Sequence, residues 1–319
     1  MAMDASIEID RIQEAAGLID PVFRDTPQYV CEPLNDRLGV DTVLKVECVN
    51  PIRSFKGRGA EYLLHRLGPQ PAGLVCASAG NFGQGMAYAA RSRGVSLTVF
   101  AALTANPLKV DRMRALGAKV ILDGPDFDQA KDGAKRHAAS TGAFYVEDGL
   151  LGPIAEGAGT IALELLRMAE PLDAVFVPLG NGSLNNGMGL WLKRASPATR
   201  IIAVCPAGGP SMEISWRAGK PISTGPTDTI ADGIAVRVPV PEALEIMRTA
   251  VDEVMLVTDA EIVEAMRLLH STTGLAVEPA GGAGIAAIAK RRDEFAGKRV
   301  ATPLTGGNIT DVQMRLWLY

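Results

Sequence analysis

Ala174-Val-Phe-Val-Pro-Leu-Gly-Asn-Gly-Ser-Leu-Asn-Asn-Gly187 begins as a short apolar run, bends through Gly180 and Gly182, and leads into the helical spacing of Met188–Lys193. A run of this length bounded by glycine reads as a buried strand. A glycine-rich turn that opens a helix exposes several backbone N–H groups at the positive end of the helix dipole, which binds a phosphate without any basic side chain. The spacing is neither GxGxxG nor GxxxxGK followed by Ser or Thr, so a dinucleotide fold and a P-loop are both disfavoured. Taken alone, the turn also admits a purely structural reading.

The same pattern recurs on either side. Apolar runs at Thr42–Cys48, Gly73–Ala77, Ser96–Phe100, Lys119–Leu122, Phe144–Val146, Ile201–Cys205, Glu253–Leu256 and Arg299–Leu304 read as strands. Stretches with helical spacing lie at about residues 6–18 and at Gly85–Arg93, Leu108–Leu116, Ile154–Ala169 and Asp259–Leu269. Strand–helix alternation predicts an α/β fold of parallel sheets covered by helices. Four strands between about 73 and 146 form a compact run. The chain is therefore expected to have two lobes, each a mainly parallel sheet flanked by helices: a small substrate-binding lobe at 72–148, inserted in a large cofactor-binding lobe of 1–71 and 149–319. The Gly-, Pro- and Ser-rich stretch Gly208–Gly225 reads as a long surface excursion.

Composition narrows the function. The 319 residues carry a formal net charge of -4 and 47% hydrophobic residues, ordinary for a globular protein, with no basic patch or stripe to suggest nucleic acid. No run approaches the ~18 apolar residues of a membrane span. The first residues lack a basic stretch followed by an apolar one, so no signal peptide is read and a cytoplasmic protein is expected. Cys31, Cys48, Cys76 and Cys205 are far apart and read as reduced core thiols. His65, His137 and His270 show no ligand spacing, and no metal is expected.

Two further glycine turns follow predicted strands. In Cys76-Ala-Ser-Ala-Gly-Asn-Phe-Gly-Gln-Gly85, the amides, the Ser78 hydroxyl and the Asn81 carboxamide offer a second small-anion site, although Ser78 reads equally as a helix cap. In Leu304-Thr-Gly-Gly-Asn308, Thr305 ends a strand at the edge where ligands of open α/β sheets bind. Finally, Asn50-Pro-Ile-Arg-Ser-Phe-Lys-Gly-Arg-Gly-Ala60 sets Lys56 between Phe55 and glycines. Schiff-base chemistry needs an amine partly freed from water, beside an apolar wall or a second cation; Phe55 would be the wall and Arg53 or Arg58 the cation. Local composition alone favours an ordinary exposed lysine.

Taken together and in this order, the segments resemble the fold-type-II pyridoxal-phosphate enzymes, closest to serine/threonine dehydratases and serine racemase. The resemblance covers about residues 6–315 and rests on Ser54-Phe-Lys-Gly-Arg-Gly, Ser78-Ala-Gly-Asn, Glu156-Gly-Ala-Gly-Thr-Ile-Ala, Gly180-Asn-Gly-Ser-Leu, Thr229-Ile-Ala-Asp-Gly-Ile, Glu278-Pro-Ala-Gly-Gly and Thr305-Gly-Gly-Asn. It implies pyridoxal 5′-phosphate bound covalently to Lys56, with Phe55 beside the ring, Asn81 on the ring oxygen and Thr305 on the ring nitrogen. Gly180, Asn181, Gly182, Ser183 and Leu184 would hold the phosphate, and Ser78, Ala79, Gly80 and Asn81 the substrate carboxylate. The implied activity is dehydration of threonine or serine to a 2-oxo acid and ammonia by a homodimer, with Lys56 as the base.

Departures from the family pattern refine this. Ala79 stands where the racemases carry an acid/base serine, which disfavours racemisation. Cys205 stands where metal-dependent members place an acidic ligand, and Phe82 replaces a histidine common in relatives. The chain ends shortly after Thr305, so a regulatory domain is not expected. The alternatives are elimination from another β-substituted amino acid (3-hydroxyaspartate, approached by Arg53, or a phenylserine-like substrate) and β-replacement. A non-catalytic phosphate-binding protein is a more distant reading.

Overall fold

A computed structural model describes residues 5–69, 72–168 and 170–319. The Met1–Asp4 segment, Ala169 at the end of one predicted helix, and residue 71 at the expected lobe boundary lie outside the described residues.

Ten strands are present among the described residues: β1 (Gln28–Val30), β2 (Asp41–Val46), β3 (Leu74–Ala77), β4 (Leu97–Ala101), β5 (Lys119–Leu122), β6 (Phe144–Val146), β7 (Ala174–Pro178), β8 (Arg200–Pro206), β9 (Glu253–Val257) and β10 (Arg299–Leu304). They form a six-stranded sheet in the order β1-β2-β10-β7-β8-β9 and a four-stranded sheet in the order β5-β4-β3-β6. All pairs are parallel except β1 with β2. The α/β expectation holds. Only β1 was not foreseen, because three residues of mixed character carry no period to read.

Both sheets are covered on both faces, which is why their strands read as continuous apolar runs. Along β7, Ala174 and Phe176 enter one core while Val175 and Val177 enter the other. In β3, Leu74 and Cys76 face one cluster and Val75 the opposite one. The four cysteines are buried and free, and burial pushes the Cys76 and Cys205 thiols up to about 12.

Two helices that shape the site begin earlier than their periodicity suggests. Asn81–Ser92 starts at the turn itself, and Ser183–Ala195 likewise. Glycines inside them hid their first turns from a propensity reading. Gly187 is required by packing: a Cβ there would lie 1.9 Å from the Ala155 carbonyl oxygen of the helix Gly152–Leu165. That helix meets the helix Lys56–Leu67 just as closely, since a Cβ on Gly157 would lie 2.5 Å from Arg58 O. Three helices thus pack backbone against backbone beneath the cleft. One expectation is corrected: Gly208–Gly225 is not a bare surface excursion but contains the helix Ser211–Ala218, which buries Met212 in the core around β8. No helix among the described residues is long and apolar enough to cross a membrane.

Candidate active site

A cleft of ≈ 720 Å³ opens beyond the carboxyl ends of β3, β7 and β10, at the crevice expected for open α/β sheets. Phe55, Lys56, Ser78, Ala79, Gly80, Asn81, Gly180, Asn181, Gly182, Ser183, Leu184 and Thr305 all line it. Phe82 lines it too.

Lys56 is the first residue of its helix, with Phe55 at the N-cap. Its Nζ lies 2.7 Å from Asp148 Oδ2, 4.7 Å from the centre of the Phe55 ring and 5.8 Å from that of Phe82. Two residues along a helix is about 200° around its axis, so Arg58 leaves on the far side. There it donates to Glu47 twice at 2.9 Å and to Glu164 at 2.7 and 2.9 Å. Lys45 Nζ contacts Glu164 at 2.5 Å, and Thr26 Oγ1 donates to Glu47 at 2.5 Å. Burial alone would raise the Glu164 carboxyl, but the hydrogen bonds and charges of Arg58 and Lys45 prevail and hold it at about 2. The network fixes the start of the helix that carries Lys56.

The cation expected beside Lys56 is therefore corrected. Arg58 is sealed in this network and Arg53 is exposed at φ 50°, and neither lines the cleft. The group against the amine is an acid. Asp148 joins Lys56 to the Gly180–Leu184 turn, because its Oδ1 accepts from Ser183 Oγ at 2.7 Å and Ser183 Oγ in turn accepts from Gly149 N at 3.0 Å.

That turn has the form its sequence predicts. Gly182 takes φ +94°, a conformation that strains other residues, and the helix Ser183–Ala195 starts directly after it. The first N–H groups of a helix have no acceptor within it, so they are available to an anion in the cleft. Across the cleft, Ser78 Oγ accepts from Gly80 N at 3.2 Å and Gly83 N at 2.9 Å. The hydroxyl caps the helix and keeps its proton for a further acceptor. Thr305 is almost fully buried, and its carbonyl accepts from Phe55 N at 3.1 Å.

Asn81 is held at both ends of its carboxamide. Nδ2 donates to Glu278 Oε1, and Oδ1 accepts from Asn308 Nδ2 at 2.7 Å. Glu278 is fully buried, which raises its carboxyl against the opposing pull of Lys109. Lys109 Nζ lies 2.7 Å from Asp232 Oδ2 and 3.7 Å from Glu278 Oε2. Burial works against the Lys109 charge, yet Glu278 and Asp232 keep its ammonium above the ordinary lysine range.

Asp148, Lys109, Asp232 and Glu278 were missed as site residues. Glu278 and Asp232 lie inside two of the quoted motifs, which is the only signal that could have flagged them. Asp148 and Lys109 are placed by tertiary convergence and carry none.

The donor set suits a phosphorylated aromatic aldehyde: an amine within an apolar wall, a helix-opening turn free of cationic side chains, a fixed carboxamide and a neutral hydroxyl. The family model for pyridoxal-phosphate dependent enzymes matches residues 19–306. This chain belongs to that family. Its cofactor is pyridoxal phosphate. Over 310 residues the chain is 35% identical to the L-threonine ammonia-lyase of Thermotoga maritima, covering 97% of this chain and 77% of that one. It is 33% identical to the serine racemase of Arabidopsis thaliana, covering 95% and 93%. Among solved structures, maize serine racemase superposes with a TM-score of 0.90 at 29% identity, covering 97% of this chain and 96% of that chain. Cys205 lies buried in β8, in the same apolar core as Met212.

Proposed function

We propose that this enzyme is an ammonia-lyase that takes a small β-hydroxy L-amino acid, threonine or serine, to a 2-oxo acid and ammonia. The observation that carries the reading is the short chain of contacts from Lys56 Nζ through both Asp148 oxygens to Ser183. It sets a reactive amine and an anion-binding turn on one wall of the cleft. The likeness to a threonine ammonia-lyase over nearly the whole chain supports the same chemistry.

In this reading Lys56 holds the cofactor aldehyde, the amides of Gly180–Leu184 hold its phosphate, joined by the Ser183 hydroxyl once it turns from Asp148, and Phe55 flanks the ring. Asn81 serves the ring oxygen, Thr305 the ring nitrogen, and Ser78–Asn81 the substrate carboxylate. The bound cofactor supplies an electron sink at the substrate α-carbon. The remaining work belongs to the chain. Lys56 Nζ removes the α-proton, and Asp148 stabilises the ammonium so formed. Phe55 and Phe82 limit the water around that amine. The β-hydroxyl leaves as water, one water is consumed as the amino group departs, and the products are a 2-oxo acid and ammonia. The Ala79 methyl has no proton to return to the opposite face, which favours elimination over racemisation.

Charge favours a small neutral side chain. The cleft wall holds six carboxylates and four cations, and each cation already pairs with an acid: Lys56 with Asp148, Lys109 with Asp232, Lys131 with Glu147, and Arg237 with Asp128. A second substrate carboxylate, as in 3-hydroxyaspartate, would meet an acidic excess. The two sheets are consistent with a small lobe at 72–148 and a large lobe formed by 1–71 and 149–319. A cytoplasmic homodimer is the form proposed.

A panel of L-threonine, L-serine, 3-hydroxyaspartate and phenylserine, assayed for 2-oxo acid and ammonia, tests the reading. Threonine and serine should be turned over, the dicarboxylate at least about tenfold more slowly, and Lys56→Ala should be inactive. Ammonia release from none of the four would overturn it.

A further inference from the structure

The residues around Asn81 form a ladder that passes from one half of the molecule to the other at every step. Lys109, Asn81 and Arg112 belong to elements of the four-stranded sheet, and Glu278 and Asn308 to segments of the six-stranded one. Lys109 Nζ stands 3.7 Å from Glu278 Oε2, Glu278 Oε1 accepts from Asn81 Nδ2, Asn81 Oδ1 accepts from Asn308 Nδ2 at 2.7 Å, and Asn308 Oδ1 accepts from Arg112 Nη1. Asn308 Nδ2 is itself anchored on Ile52 O at 2.9 Å.

The two ends of a carboxamide are nearly the same size and opposite in hydrogen-bonding sense, so an unpinned asparagine samples both orientations. Here only one orientation satisfies both neighbours. Glu278, as a carboxylate, can only accept, and the Asn308 amino group can only donate. Oδ1 is thereby turned toward Asn308, one Nδ2 hydrogen is used by Glu278, and the second is left for the cleft that Asn81 lines. Glu278 is fully buried and its Oε2 has no hydrogen bond, so the carboxylate depends on the hydrogen bonds that Asn81 and the Asn308 backbone supply. In such a desolvated place each bond is strong and its loss costly.

We infer that Glu278 and Asn308 are positioning residues. Acting together from the six-stranded half, they fix the Asn81 carboxamide so that it presents N–H, not C=O, to the ring oxygen of the cofactor. Because every link of the ladder joins the two halves, the orientation of Asn81 is set only when the halves are drawn together. This inference rests on the role of Asn81 given above.

The test is a double-mutant cycle on the holoenzyme, reading the dissociation constant for pyridoxal phosphate and the long-wavelength absorbance band of the bound cofactor. Glu278→Ala should weaken cofactor binding at least about tenfold and displace the band. In an Asn81→Ala background the same change should alter binding less than about twofold. Glu278→Gln, whose amide oxygen still accepts from Asn81, should restore the band. Should Glu278→Ala fail to fold, Asn308→Ala takes its place in the same cycle with the same expectation. Equal effects with and without Asn81, or a Gln variant as impaired as the Ala one, would overturn the inference. If Asn81→Ala alone leaves binding and spectrum unchanged, the role of Asn81 itself is what falls.

Discussion

Two clusters of charge flank the start of one helix, and they differ in nearly every respect. Behind it, Arg58, Lys45, Glu47 and Glu164 balance two cations against two anions, all buried or nearly so, with close hydrogen bonds throughout. In front of it, Lys56 with Asp148 and Lys109 with Asp232 and Glu278 line an open cleft that has more acid than base, and one buried carboxylate oxygen lacks a hydrogen bond. Ion pairs sealed in a core are retained when they are fully satisfied, and breaking one is expensive. Unbalanced charge in a cleft is more often functional than structural. A separation of two positions at the helix start divides the two roles, because the helical turn sends Lys56 one way and Arg58 the other.

The contrast predicts opposite responses to substitution. The largest stability effect should come from Glu164→Gln, which leaves Arg58 and Lys45 with the single buried carboxylate of Glu47 between them: a loss of about 3–5 kcal/mol, read as the midpoint of denaturant unfolding. Turnover per folded molecule should stay near that of the parent. If turnover falls with little loss of stability, the rear cluster is not a scaffold. The same network gives a pH signature. The Glu164 carboxyl is depressed in the fold, so its contribution is present above the ordinary carboxylate range and is lost as pH falls from about 4.5 toward about 2. The decline in unfolding midpoint over that window should be shallower in Glu164→Gln than in the parent.

Lys109→Met probes the front cluster. Asp232 is largely exposed and can be solvated, and the raised carboxyl of Glu278 can take up a proton. The stability cost should therefore be only about 1–2 kcal/mol, while turnover drops at least about tenfold. The smallest effect belongs to Ser183→Ala. It removes one hydroxyl from a turn otherwise built of amides, and should weaken cofactor binding by about 1 kcal/mol, roughly fivefold.

Much of this organisation is legible along the chain. The stretch from Ala174 to Gly187 announces strand, turn and helix in order, and all three lie where it implies. The helix beginning at Lys56 is harder to see, because Gly57 and Gly59 look like breakers. They are there for space: a Cβ on Gly57 would strike the Phe23 ring at 2.4 Å, and one on Gly59 would lie 2.5 Å from Ile154 O. The helix Asn81–Ser92 conceals its start in the same way behind Gly83 and Gly85. Partners brought together by folding leave still less trace. Asp148 lies 92 positions from Lys56 and Glu278 lies 197 from Asn81, so no local pattern links either pair. A cation is expected beside Lys56 because the nearest arginines are its neighbours in the chain, but the helical turn sends Arg58 away and Arg53, ahead of the helix, is exposed.

Chemical trapping addresses the central claim most directly. Holoenzyme reduced with borohydride and digested should yield one cofactor-bearing peptide, modified at Lys56, and Lys56→Ala should yield none. Cofactor fixed on another lysine, or fixed undiminished in Lys56→Ala, would contradict the account.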